Sequence, residues 1–131
     1  MNLQKTIKET IEFEGIGLHN GKKVNLILKP AGQNTGIKFK RTDIDDSINI
    51  IEATFKNVSS PVLCTKIKNS HGVSVSTIEH LMAAFYGEGI DNVIVEINAP
   101  EVPIMDGSAF EFVTAIRSAG IQEQKCSKKF I

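Results

Sequence analysis

The sequence lacks a net charge and any long apolar run, and these absences exclude several classes of protein. Its 15 basic side chains balance 15 acidic ones without forming a basic block, whereas a nucleic-acid interface normally carries one. No apolar segment approaches the ~20 residues that cross a bilayer, and the polar start MNLQKTIKET does not fit a signal peptide. We therefore expect neither a nucleic-acid partner nor a transmembrane segment.

Cysteine is scarce as well. Cys64 and Cys126 are the two cysteines of the chain; they are too few for a disulfide framework and form no CxxC metal motif. Reduced thiols and a cytoplasmic location are the expectation. The hydrophobic content of 41% over 131 residues fits one domain with a real core.

Most of the first two-thirds of the sequence has the alternating pattern of β-strands. NSHG, at residues 69–72, is a turn signal, and the most apolar strand, DNVIVEI, is expected at the centre of a sheet. The predicted strands are KTIKETIEF (5–13, with Ile7, Glu9, Ile11 and Phe13 on one face), KVNLILKPA (23–31), GIKFKRTD (36–43), INIIEATF (48–55), PVLCTKIKN (61–69) and DNVIVEI (91–97).

Two helices interrupt the strands. Ser76 to Glu79 and Ser108 to Glu111 each fit a capping box at a helix start, and Gly87 and Gly120 fit the two helix ends. The order of elements predicts an α+β fold: a two-layer sandwich of a mixed β-sheet and two helices.

The first helix is apolar almost all round. Its face with Ile78, Leu81, Met82 and Phe85 is the core face, and the opposite face has no long charged side chain. Such a helix is normally covered on both sides, whereas one sheet covers only one. The face expected to need another cover holds Glu79, His80, Ala83 and Ala84.

Glu79 and His80 each have two interpretations. Glu79 is either the capping-box acid of its helix or a functional carboxylate. His80 is either a neutral core residue with one hydrogen bond or a metal ligand, because a helix start disfavours a protonated imidazole. A zinc site from His19, His71 and His80 would lack HxH or HxxxH spacing.

Two loops are candidate sites. His19 lies in the glycine-rich turn GIGLHNGKK, where it either contacts a phosphate or substrate or fills a hairpin turn. In NAPEVPIMDGSAF, residues 98–110, two prolines impose an extended path and Asp106-Gly107 turns the chain into the second helix. Asp106 either stabilises this turn alone or also supports a site.

Several of these segments together resemble one family, the zinc-dependent UDP-3-O-acyl-N-acetylglucosamine deacetylases of lipid A biosynthesis in Gram-negative bacteria. The resemblance runs from about Gln4 to the last residue. It is carried by GIGLHNGKKVNLILKPAGQNTGIKF, LCT, STIEHLMAAFYGEGIDNVIVEINAPEVPIMDGSA and CSKKF.

The resemblance implies a role for each matching residue. Glu79 matches the general base that activates water, and His80 matches a zinc ligand. Leu63 and Cys64, within LCT, and His19 match residues that line or adjoin the site, and Asp106 matches a supporting position. The implied substrate is a UDP-sugar.

The resemblance also implies a domain arrangement. The sandwich would be one half of the family's β-α-α-β sandwich, with a small strand insert: residues 1–125 as the N-terminal domain and 126–131 as the start of the interdomain connection. The remaining zinc ligands belong to an HKxxDxxGD-type motif of the second domain, and no HKxxD segment occurs in this sequence. We expect the chain alone to be inactive, to hold Zn²⁺ weakly, and to expose a helix layer through which it could pair with the missing domain or with a second copy.

Two other functions stay open on the residues alone. One is a standalone binding domain that uses the GLHNGKK turn and the open helix face. The other is a small metalloenzyme that uses His19 and His71.

Overall fold

The computed structural model describes residues 2–18, 21–54 and 65–128. These residues form nine strands and two helices of ten residues each. In chain order the elements are β1 Leu3–Ile7, β2 Ile11–Ile16, β3 Lys23–Pro30, β4 Ile37–Arg41, β5 Ile50–Glu52, β6 Lys66–Lys68, β7 Ser74–Ser76, α1 Glu79–Glu88, β8 Val93–Ile97, α2 Phe110–Ala119 and β9 Ile121–Ser127.

The main sheet has five strands in the order β2-β3-β8-β4-β5. β8 lies at its centre, as the apolar sequence DNVIVEI predicts, and pairs with β3 on one edge and with β4 on the other. The pairing of β4 with β8 is parallel and the other pairings are antiparallel, so the sheet is mixed. β1 pairs with β9, and β6 pairs with β7, in two separate two-stranded sheets.

The two helices pack against each other and share one apolar core with the sheet. The rings of Phe112 in α2 and Phe13 in β2 form a T-shaped pair, with 5.1 Å between ring centroids. Leu81 and Phe85 of α1 are fully buried. The predicted α+β two-layer sandwich is therefore confirmed. No helix in the described ranges is long and apolar enough to span a membrane.

The prediction of one strand over residues 5–13 is wrong. The chain bends at Lys8 and Glu9, so that β1 pairs with β9 whereas β2 pairs with β3. Lys8 donates its backbone N–H to Gly120 O at 3.0 Å. The strand breaks because its first half has a partner more than a hundred positions away, which local alternation does not reveal.

Other predicted boundaries also change. Within the described residues, the strand of INIIEATF covers Ile50–Glu52 and that of PVLCTKIKN covers Lys66–Lys68; residues 55–64 lie outside the described ranges. The helix α1 continues through Gly87 and ends at Gly89, which has the left-handed φ of 71° that favours glycine. Gly120 ends α2 as predicted.

The predicted open face of α1 is partly correct. Ala83 is exposed and Tyr86 is 72% exposed, and Phe110 at the start of α2 is 68% exposed. Ala84 is fully buried, so its assignment to the open face is wrong. The reason is the packing of α2 against α1, which covers one more side of the helix than a sheet alone would.

Candidate functional site

The start of α1 is built from a sharp change of direction after β7. Ser76 is the last residue of β7, Thr77 has a left-handed φ of 60°, and the helix begins at Glu79. The predicted capping box at Ser76 is wrong, because Ile78 is the N-cap and no side chain caps it. Ser76 is instead used in strand pairing: its N–H donates to Pro100 O at 2.8 Å.

The Glu79 carboxylate is therefore not used to cap its own helix. Its Oε2 accepts a hydrogen bond from the backbone N–H of Thr65 at 3.0 Å, and Ile78 N–H donates to Thr65 O at 3.3 Å. Thr65 directly follows Cys64 in the chain. Leu63 and Cys64 themselves lie outside the described residues. The carboxylate thus anchors the start of β6 through one oxygen and leaves Oε1 without a partner among the described residues.

His80 is only partly buried, in the first turn of α1. Within the described ranges its imidazole makes no hydrogen bond. A core histidine is normally buried and bonded, so the partial burial of His80 favours the metal-ligand interpretation, which stays a prediction. Glu79 and His80 are adjacent in the helix, which directs their side chains about 100° apart.

The segment 98–110 connects the start of α1 with the end of β2. Val102 N–H donates to Ser76 O at 3.1 Å, and Ile104 N–H donates to Ile16 O at 3.0 Å. Pro103 forms a bridge with Gly17, two residues before His19. The extended path that the two prolines predict is thus confirmed. His19 itself lies outside the described residues.

Asp106 forms the turn into α2. Its Oδ1 accepts hydrogen bonds from the backbone N–H and the hydroxyl of Ser108, at 3.0 and 2.8 Å. The predicted turn is confirmed. The capping box that would begin at Ser108 is wrong, because Ala109 is the N-cap and no side chain caps it; Ser108 Oγ is held by Asp106 and accepts from Phe110 N–H at 3.2 Å.

The described residues supply one suitable zinc ligand at this site. An imidazole such as that of His80 is a normal zinc ligand, and a hydrolytic zinc needs three protein ligands. Among residues 2–18, 21–54 and 65–128, no three His, Cys, Asp or Glu side chains come together to hold a metal ion. His71 is exposed in the turn between β6 and β7. His80 is therefore suited to be one ligand of a zinc site whose other ligands lie outside the described residues.

A cleft of the described chain lies elsewhere. It has a volume of about 430 Å³ and lies between β5 and the β6–β7 turn, lined by residues such as Asp46, Asn49 and His71. Neither Glu79 nor His80 lines it. Nearby, the Arg41 guanidinium donates to Ser74 O at 2.8 Å. It also donates to the Asp43 carboxylate, and the hydrogen bond between Arg41 and Asp43 lowers the pKa of Asp43.

Two residues at the site were not predicted from the sequence. Thr77 is 4% exposed, and its hydroxyl donates to Oε2 of Glu101, which is 3% exposed, at 3.1 Å. A threonine at positive φ has no sequence signature, because β-branched residues disfavour that conformation. A glutamate between two apolar positions, as in PEVP, is the one signal that points to Glu101.

Comparison with known proteins assigns the chain to a family of deacetylases. A sequence model of the UDP-3-O-acyl N-acetylglycosamine deacetylases (LpxC) matches residues 4–131, and the chain belongs to this family. It is 52% identical over its 131 residues to the UDP-3-O-acyl-N-acetylglucosamine deacetylase of Shewanella pealeana (strain ATCC 700345 / ANG-SQ1). The chain spans 42% of that relative's length. The resemblance drawn from the motifs is confirmed.

Proposed function

We propose that this chain forms part of the active site of a cytoplasmic, zinc-dependent deacetylase. The enzyme removes the acetyl group from UDP-3-O-(3-hydroxyacyl)-N-acetylglucosamine, the committed step of lipid A biosynthesis in Gram-negative bacteria. Family membership and the name of the 52% identical relative support this activity. The observation that carries it is the pair of Glu79 and His80 at the start of α1, with neither side chain used to build the core.

Glu79 acts as the general base. The Thr65 amide fixes Oε2 at 3.0 Å, so the carboxylate has one defined orientation, and Oε1, which has no partner within residues 2–18, 21–54 and 65–128, accepts the proton. As a water oxygen bonds to the acetamide carbonyl carbon, its proton passes to Oε1. The proton on Oε1 then passes to the amide nitrogen as the C–N bond breaks, so that the sugar amine and acetic acid are released and the Glu79 carboxylate is regenerated. A positioned carboxylate of this kind contributes about 10²- to 10⁴-fold to such a reaction.

His80 is one of the zinc ligands, and the others come from outside these 131 residues. When bound, the zinc would lower the pKa of a water ligand and polarise the acetamide carbonyl. Leu63, Cys64 and His19 belong to this proposal because they match site positions of the family, and Asp106 supports the site by holding the turn that ends the 98–110 segment. The exposed Ala83 and Tyr86 face of α1 would be covered by the rest of the enzyme or by a second copy of the chain.

The test is the Glu79→Gln substitution in the deacetylase that carries this chain. We expect kcat to fall by at least about 100-fold, because the amide accepts no proton, while zinc content measured by mass spectrometry is unchanged. Glu111→Gln is the matched control, since Glu111 also lies in a first helical turn but belongs to α2. Full turnover in Glu79→Gln would contradict the proposal. Loss of turnover together with zinc and thermal stability would contradict it too, since that combination indicates a structural carboxylate.

A further inference from the structure

The backbone of Thr77 is strained immediately before the candidate catalytic pair. Its φ is 60°, and a β-branched residue in this left-handed region is an outlier because its side chain crowds the backbone. Thr77 is buried and lies two positions before Glu79 and three before His80. Strain of this kind persists only where the surrounding structure holds it, and it clusters at functional sites.

The contacts of Thr77 and its neighbours show what holds the strained turn. The Thr77 hydroxyl donates to Glu101 Oε2 at 3.1 Å, with both residues almost fully buried. Hydroxyl and carboxylate groups removed from water require such partners. On the Ser76 side, hydrogen bonds from Ser76 N–H to Pro100 O and from Val102 N–H to Ser76 O fix the preceding residue to the same segment.

The turn at Thr77 determines the positions of Ile78, Glu79 and His80 relative to Thr65. Immediately after it, Ile78 N–H donates to Thr65 O, and Glu79 Oε2 accepts from Thr65 N–H. These two bonds require the chain to leave β7 in one direction. A Thr77 that relaxed to negative φ would rotate Ile78 and Glu79 away from Thr65, and His80 would rotate with them.

We propose that Thr77 and Glu101 are positioning residues for the deacetylation. Their buried hydroxyl–carboxylate hydrogen bond holds the left-handed turn that places the Glu79 carboxylate and the His80 imidazole. Neither residue needs to touch the substrate. The inference rests on the proposed function of Glu79 and adds to it the groups that fix its geometry.

The first experiment compares Thr77→Gly with Thr77→Ser in the deacetylase that carries this chain. Glycine adopts positive φ without strain, so the variant folds, but it has no hydroxyl and leaves the turn free to move. We expect kcat to fall about 10- to 100-fold, the size of effect that misplacement by about 1 Å produces, with KM unchanged. Thr77→Ser keeps the hydroxyl, so its kcat should stay close to that of the unsubstituted enzyme.

The matched control is Asn34→Gly. Asn34 also has a left-handed φ, 64°, and its side chain accepts a hydrogen bond from Gln4 Nε2 at 2.8 Å. It lies in the connection between β3 and β4, so the same substitution there should leave kcat unchanged. A fall in kcat as large as that of Thr77→Gly would overturn the inference, because general loosening of the fold would then explain both.

A second experiment measures position without catalysis. In the 131-residue chain, hydrogen exchange of the Thr65 amide reports on its bond to Glu79. Exchange should become faster in Thr77→Gly and stay unchanged in Thr77→Ser and Asn34→Gly. Unchanged Thr65 exchange together with full kcat in Thr77→Gly would overturn the inference. If Glu79→Gln is active while Thr65 exchange responds to Thr77→Gly, the catalytic assignment of Glu79 fails and the positional link remains.

Discussion

At the scale of single residues, Gly15 allows the 98–110 segment to pack on β2. A Cβ at Gly15 would lie 2.6 Å from Cβ of Pro103 and 3.0 Å from Sδ of Met105. The proline ring is rigid, so it does not yield as the end of a flexible side chain would. Gly15 is therefore required by close approach of another segment and not by its own backbone angles.

We predict that Gly15→Ala lowers the free energy of unfolding by about 1–3 kcal/mol, the usual cost of overpacking a filled site. Gly87→Ala is the matched control, because Gly87 lies within α1 and a Cβ there would meet nothing within 4 Å. In a helix interior the alanine should be stabilising by about 0.5–1 kcal/mol. Urea unfolding followed by circular dichroism measures both. Equal effects of the two substitutions would refute the close-approach explanation.

Sequence reasoning found Glu79 and His80 but could not choose between their interpretations. The capping pattern at Ser76 was present in the sequence and absent from the structure, because the backbone of Ser76 is paired with the 98–110 segment. That pairing joins positions 24 apart along the chain. A local motif therefore drew attention to Glu79 through a capping role that the tertiary structure overrules.

At the scale of elements, one ion pair joins the two helices at their C-terminal ends. Arg117 of α2 donates to both carboxylate oxygens of Glu88, at 2.6 and 3.2 Å. The Glu88 side chain is 8% exposed and that of Arg117 is 70% exposed. An acid at a helix C-terminus faces the negative end of the helix dipole, so Glu88 needs this cation. The hydrogen bond to Glu88 raises the pKa of Arg117.

We predict that Arg117→Ala lowers the Tm more than the double variant Arg117→Ala/Glu88→Gln does. The single substitution leaves a mostly buried carboxylate without its cation, whereas the double variant removes that charge as well. Lys23→Ala is the control, because the Lys23–Glu14 pair is exposed on both sides and such pairs contribute little. A double variant that melts below the single variant would show that Glu88 does not depend on Arg117.

Strands with a strong apolar alternation were predictable, and strands defined by a distant partner were not. β3, β4 and β8 follow their sequence pattern, since each buries one face or both in the main sheet. β9, with the polar sequence IQEQKCS, was not predicted. It exists because it pairs with β1, and the same pairing explains the error over residues 5–13.

At the scale of the whole molecule, the described residues offer one candidate zinc ligand, His80, where a hydrolytic site needs three. We predict that the 131-residue chain purified alone loses zinc on dialysis and does not hydrolyse the UDP-sugar. Mass spectrometry of the metal and an assay of acetate release measure this. The prediction is wrong if the dialysed chain keeps stoichiometric zinc that His80→Ala removes; a second copy would then complete the site.

A network of buried side-chain amides joins the first and last strands of the described chain. Gln4 and Asn92, both less than 5% exposed, are its centre. Asn92 Nδ2 donates to Gln4 Oε1 at 2.9 Å and to Gln124 Oε1 at 2.7 Å, and Gln4 Nε2 donates to Ser127 O at 2.9 Å. Each of these amides is satisfied, so the network fixes the register of β9 on β1.

The pairing of β1 with β9 can form only late in the translation of this domain. Gln4 and Ser127 are 123 positions apart, so β1 leaves the ribosome well before its partner β9 is translated. Contacts between such distant positions form slowly because the intervening loop must close. The glutamine and asparagine amides stay in water until then, and the domain reaches its final form only after translation has passed residue 127.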